Sequence, residues 1–312
     1  MKRKQNTDTI LSLFQRFQRK NRIKNLADAT IVFYSSNFEI FYEYLRGIHI
    51  DFVKDIDSDV IDDYILFLKK RYNKAVSINT NLRAVRAFLY WCMRNSVLQS
   101  FKIRLLKEPE APLKLYSDKD VKRLIKKPNL KKCSFTTYRN WVLTYYLIET
   151  GNRLRSIINI KVSDINFENH EVLLRQTKNK RVLITPLTKT LIDILPDYID
   201  TWGLQLNQYL FPNRYGKQLT PGAAKSAIRE YNLKHGVSTT SIHAFRHTFA
   251  RNYITTGGNA FKLQALLGHK DLTVTRRYVH LFGSDLLNDI DEHSLIERIK
   301  PTGHKISRVK RT

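Results

Sequence analysis

Two prolines three residues apart, Pro109 and Pro112, break the helical pattern of this chain and divide it into two parts. Proline locks its own φ, offers no amide proton, and pushes the residue before it out of the helical region. The segment Glu108-Pro-Glu-Ala-Pro112 therefore reads as an extended connection. A chain of 312 residues has room for about two domains of roughly 150 residues each. The expected layout is a first domain over residues 1–107, a linker over 108–116, a second domain over 117–299 and a basic, disordered tail over 300–312.

Upstream of the break the apolar residues recur every three or four positions, the period of a helix with one buried face. Ile31 to Tyr44 follows this spacing. Ser58 looks like an N-cap, with acids in the turn behind it, for a helix running through Leu68. A third helix, capped at Ser77, aligns Ile78, Leu82, Val85, Leu89 and Cys92 in one stripe. Its adjacent face carries Asn79, Arg83, Arg86 and Tyr90. A small helical bundle fits this region. About 30 residues precede Ile31, too few for another ordinary domain.

Downstream, Ser117-Asp-Lys-Asp120 has the spacing of a capping box and should open a helix to about Lys127. Tyr138 to Glu149 is apolar all round and so a buried helix, ended by Thr150-Gly-Asn152. A short helix over Ser156–Ile160 follows. Glu171–Thr177 and Val182–Thr185 read as a hairpin bent at residues 178–181. Further helices are expected from Thr220 to His235, over Ile242–Thr256 up to Gly257, over Ala260–Leu267 and over Thr273–Val279. The fold class is thus mainly α with a small antiparallel β-sheet.

Charge narrows the partner. Lys and Arg total 54 against 28 acids, a net charge of +26. Such an excess points to a polyanion, with nucleic acid in first place. The 16 Tyr and 16 Phe argue for folded domains rather than a disordered basic tail. Cys92 and Cys133 form no Cys-x-x-Cys pair, so neither a disulfide framework nor a zinc site is expected. No apolar run reaches the ~18 residues of a membrane span. The basic N-terminus is not followed by an apolar signal region, so the expected location is cytoplasmic.

Four motifs carry chemistry. The first is Thr150-Gly-Asn-Arg153-Leu-Arg-Ser156, running on to Val162-Ser-Asp164-Ile165. The second is the hairpin bend with Lys178, followed by Arg181-Val-Leu-Ile-Thr-Pro186-Leu187. The third is His243-Ala-Phe-Arg246, whose spacing puts both side chains on one helix face. The fourth is Leu266-Leu-Gly-His269, with Tyr278 nine residues after the histidine. In this order and spacing they resemble the tyrosine recombinases, or phage integrase family, over about Thr30 to Ile299. Within it the chain is similar to the two-domain, Xer-like or transposon integrase type.

The resemblance implies a helical core-binding domain and a catalytic domain that clasp double-stranded DNA at specific recombination sites. It implies that Tyr278 attacks phosphorus to give a 3′-phosphotyrosyl bond, that Arg153 and Arg246 clamp the phosphate, and that Lys178 protonates the leaving 5′-oxygen. His243 and His269 would donate to the phosphate and manage the tyrosine's proton. No metal, cofactor or ATP is implied, because the covalent intermediate keeps the bond energy. The family commonly has an acid where this chain has Ser156, a departure that bears on the fine orientation of Arg153 and not on the chemistry. His247 is a spare histidine. On the first domain, Asn79, Arg83, Arg86 and Tyr90 are candidate DNA readers. Leu286–Ile299 reads as an amphipathic segment, and the resemblance implies that it packs onto a neighbouring subunit in a homotetramer assembled on DNA. Two rivals share the resemblance: a topoisomerase IB-like relaxing enzyme and a non-catalytic repressor.

Overall fold

The computed structural model describes residues 9–108, 112–175, 182–269 and 271–282. It divides into two compact units, Met1–Ala111 and Pro112–Thr312. The described residues are mostly helical with one small antiparallel sheet.

The first unit is built on α1 (Ile10–Ile23), α2 (Asp28–Gly47), α3 (Ser58–Arg71) and α4 (Ala75–Arg94). Ile78, Leu82, Val85, Leu89 and Cys92 are all buried, so the stripe read from the sequence does face the core. Aromatic rings tie α1, α2 and α4 together. Phe14 stacks on Phe38 with centroids 3.6 Å apart and meets Phe88 edge-on at 5.5 Å.

Three local readings need correction. Helix α1 was not expected, because polar Gln18 and Asn21 share its buried face and blur the apolar period. The side-chain nitrogen of Gln18 donates there to the Ile31 carbonyl and the Ser35 hydroxyl. The cap of α3 is Asp57, whose carboxylate accepts from the Val60 amide at 3.0 Å, and Ser58 is already helical. Helix α4 begins at Ala75 with no side-chain cap, leaving Ser77 within its first turn.

The second unit wraps around α6 (Phe135–Thr150), whose Tyr138, Trp141, Val142, Leu143, Tyr146 and Leu147 are buried. Helix α5 (Asp118–Leu124) has the capping box foreseen at Ser117 and Asp120, although it stops short of Lys127. Helix α7 is Leu154–Ile157. Strands β1 (Ile165–Asn166), β2 (Glu171–Leu174) and β3 (Leu183–Pro186) form the sheet in that order, with Val172 opposite Thr185. The bend carrying Lys178 lies outside the described residues, as does everything after Phe282. Helix α8 (Lys189–Thr201) has no counterpart in the sequence reading and carries Pro196 within it, which weakens a helical signal. The remaining helices are α9 (Pro221–Lys234), α10 (Ile242–Thr255), α11 (Ala260–Leu267) and α12 (Leu272–Phe282). No helix among the described residues is long and apolar enough to cross a membrane.

Candidate active site

Two helices end side by side in glycine, and their bare carbonyls hold the arginines. Gly151 closes α6 at φ +57° and Gly268 closes α11 at φ +59°, both in the left-handed region that favours glycine. Arg246, buried on α10, donates to the Gly151 carbonyl at 2.9 Å and to the Leu267 carbonyl at 2.9 Å. Arg153 donates to the carbonyls of Leu267 at 3.3 Å and Gly268 at 3.2 Å. The C-terminal end of a helix carries partial negative charge, which favours a cation. Neither guanidinium has a carboxylate partner among the described residues. Both therefore keep their positive charge for an incoming anion. Ser156 is buried, and Arg153 is held by the carbonyls of Leu267 and Gly268.

The arginines pay for this placement electrostatically. Burial, then the neighbouring Arg153, pushes the Arg246 pKa down to about 10. Arg153 is also lowered, first by burial. Both stay charged at neutral pH, and each destabilises the other until an anion arrives.

Two histidines report the same field. His269 follows Gly268, and its Nε2 lies 2.6 Å from an Arg246 nitrogen. Arginine only donates, so Nε2 accepts and the ring proton sits on Nδ1, 2.8 Å from the buried Thr275 hydroxyl. Burial, then Arg246 and Arg153, pushes the His269 pKa down to about 4, so it is neutral. His243 sits at the mouth of the site. Desolvation and the charges of Arg246, Lys225 and Arg153 hold its pKa below the ordinary value.

Tyr278, on α12, is buried beside them. Its phenolic oxygen lies 2.9 Å from Nδ1 of His247, and the charge of Arg246 acts on it. Its ring is parallel to that of His269, with centroids 6.4 Å apart. Burial raises its pKa, while Arg246, Arg277 and Arg153 pull it back. A cleft of about 370 Å³ opens against Arg153, His243 and Arg246 and continues onto Lys225 and Arg229 of α9. Among the described residues no acidic side chain lines it, so an anion is the ligand it suits. At the foot of the hairpin, Arg175 donates to the buried Asp164 at 2.6 Å, and Asp164 also accepts from the Lys161 amide. This holds the end of β2, where the chain departs towards Lys178.

The phage integrase family model matches residues 115–284, more than half of the chain. The chain belongs to the phage integrase family. It is a tyrosine recombinase, an enzyme of site-specific DNA recombination. The tyrosine recombinase XerD of Staphylococcus epidermidis is 28% identical over 272 residues, covering 84% of this chain and 91% of that protein. The tyrosine recombinase XerC of Chlamydia trachomatis is 29% identical over 232 residues, covering 72% of this chain and 73% of its own. Among solved structures, the XerH site-specific recombinase bound to a palindromic difH substrate superposes with a TM-score of 0.69 at 19% identity, covering 89% of this chain and 84% of XerH. A lambda integrase dimer bound to a COC′ core site gives 0.69 at 16% identity, covering 87% of this chain and 95% of the integrase chain. These two share the fold.

Of the six residues read from the sequence as phage integrase chemistry, Arg153, His243 and Arg246 line this cleft, His269 bonds to Arg246, Tyr278 lies beside His269 and His247, and Lys178 lies outside the described residues. The first domain departs from its reading. Asn79 is buried on α4 and exchanges hydrogen bonds with the backbone of Leu106, at 2.9 and 2.8 Å, besides contacting Glu108. It fastens the segment leading to the prolines and is not available to read a base. Tyr90 is half-buried, and its hydroxyl accepts from the Ile103 amide at 3.2 Å. Arg83 is exposed and pairs with Glu108 at 3.0 Å, and Arg86 lies over the Tyr90 ring. Sequence reasoning missed Lys225, Arg229 and Thr275, and gave His247 no role. The four-residue spacing of Lys225 and Arg229 on one helix was the available signal.

Proposed function

We propose that Tyr278 is the nucleophile of this recombinase and that its substrate is double-stranded DNA carrying specific sites. The observation that carries this reading is the Tyr278 phenol, buried within the field of the same Arg246 that fronts the anion cleft. A DNA phosphodiester in the cleft meets the guanidinium forks of Arg153 and Arg246, which match its non-bridging oxygens. Charge fixed in place before the reaction is commonly the largest catalytic contribution.

In the proposed reaction the Tyr278 oxygen forms a bond to phosphorus as the bond to the 5′-oxygen breaks. The 3′-phosphotyrosyl link stores the energy for rejoining to a new 5′-hydroxyl. Lys178 gives its proton to the leaving oxygen. His243 and His269 face the phosphate as hydrogen-bond donors. For His269 this requires that phosphate replace it on Arg246, and the anion's charge raises its pKa. Arg83 and Arg86 are proposed as contacts to the DNA backbone from the first domain. Four copies are proposed to assemble around two DNA sites, linked through Leu286–Ile299. The XerH and lambda integrase structures, solved on DNA, support the choice of DNA.

Recombination tests this directly. DNA fragments flanking this protein's own gene, paired on a reporter plasmid, should be exchanged by the wild-type protein. Tyr278→Phe should bind the same fragments and exchange none. Relaxation of plasmids lacking those fragments, with no exchange, would instead favour a topoisomerase. Exchange by Tyr278→Phe would refute the reading.

A further inference from the structure

The cluster of arginines and histidines leaves one question in the chemistry: where the phenolic proton goes. Arg153 and Arg246 are donors only and cannot take it. His269 uses both ring nitrogens, one on Arg246 and one on Thr275. His247 is different. It stands four residues after His243 on α10, one position beyond Arg246, and its Nδ1 lies 2.9 Å from the Tyr278 hydroxyl. In the tautomer with the ring proton on Nε2, Nδ1 accepts from the Tyr278 hydroxyl.

We infer that His247 is the proton acceptor for Tyr278 in strand cleavage, and returns that proton when the strand is rejoined. The inference rests on Tyr278 being the nucleophile. The step balances: the O–H bond of Tyr278 breaks as its O–P bond forms, the proton moves to Nδ1 of His247, and the P–O5′ electron pair leaves with a proton from Lys178. Rejoining runs it backwards, with imidazolium protonating the departing tyrosine. His247 meets the requirement that the acceptor be unprotonated at neutral pH. Desolvation, then His243, Arg277 and Arg246, holds its pKa below the ordinary histidine value. These three groups and Tyr278 are the charged and titratable neighbours, from its own helix and from α12, that act on it. A general base of this kind typically contributes about 10²–10⁴-fold.

His247→Asn separates accepting a hydrogen bond from accepting a proton, because its amide oxygen takes the place of Nδ1 but is not basic. Single-turnover cleavage of a DNA fragment shown to recombine should be measured against pH, with thermal melting and fragment binding as folding controls. The wild-type rate should level off above the histidine pKa. His247→Asn should bind DNA normally, cleave about 100-fold or more slowly at pH 7, and rise tenfold per pH unit as hydroxide takes the proton. His247→Ala should be slow in the same way and recover in added imidazole. A fluorinated tyrosine at position 278, with its more acidic phenol, should erase much of the His247→Asn defect. His247 variants with the wild-type pH profile and rate, or faster ones, would overturn the inference while leaving Tyr278 as nucleophile. The same outcome applies if the loss is equal at every pH and neither imidazole nor the fluorinated tyrosine repairs it. Wild-type protein that joins DNA through another residue would instead overturn the reading beneath it.

Discussion

At the scale of single residues, the site is an array of cations held by neutral oxygens. Arg246 touches two helix-end carbonyls and His269 through one planar fork, and its charge acts on Tyr278. Lysine carries the charge but not the fork. Arg246→Lys is expected to lower the single-turnover cleavage rate by about 10²–10³-fold while leaving DNA binding nearly intact. The histidine beside it makes stability depend on pH. His269 has a folded pKa of about 4, below the ~6.5 of an unfolded histidine, so the unfolded chain binds more protons between those values. Its contribution is complete above pH ~6.5 and is lost as pH falls towards 4. The urea midpoint should decline across that window, and less steeply in His269→Gln. Thr275, with its hydroxyl on Nδ1, fixes the ring that makes this so.

At the scale of elements, the two glycine ends of α6 and α11 set the geometry. A Cβ on Gly151 would stand 2.6 Å from Phe249 Cδ1 in addition to the strain of φ +57°, whereas one on Gly203 at φ +59° would meet nothing within 4 Å. Gly203→Ala should cost about 1 kcal/mol. Gly151→Ala should cost roughly 2–4 kcal/mol, because overpacking adds to the backbone strain. It should also slow cleavage, since the displaced carbonyl is a partner of Arg246. Urea denaturation of the pair, alongside cleavage rates, checks both. The sequence disclosed those glycines and the helices they end, since a left-handed cap is a local signal. It also disclosed the α4 stripe, which is periodic. It concealed α1 and α8, where buried polar residues and Pro196 obscure the period. Asn79 was misread because its partner, Leu106, lies 27 residues away and no local pattern announces the bond. His247 was visible only as a leftover, since its neighbour Tyr278 lies 31 residues on.

At the scale of the molecule, charge and covalent chemistry divide the labour. A net charge of +26 supplies attraction to any duplex, while the cleft supplies the reaction. Affinity for a random duplex should therefore fall steeply with salt. Between 50 and 200 mM a loss of about 10³-fold or more is expected if the protein neutralises six or more phosphates. Titrations by fluorescence anisotropy at several salt concentrations give the slope, and Lys225→Ala and Arg229→Ala should each reduce it by about one unit. The step that distinguishes this enzyme from a basic DNA-binding protein is the bond to Tyr278. The recombining fragment should be incubated with wild-type protein in EDTA, the complex denatured and digested with nuclease and trypsin, and the peptides weighed. A nucleotide-bearing peptide is expected, with fragmentation placing the adduct on Tyr278. An adduct on any other residue, or recombination that proceeds with no adduct at all, would contradict it.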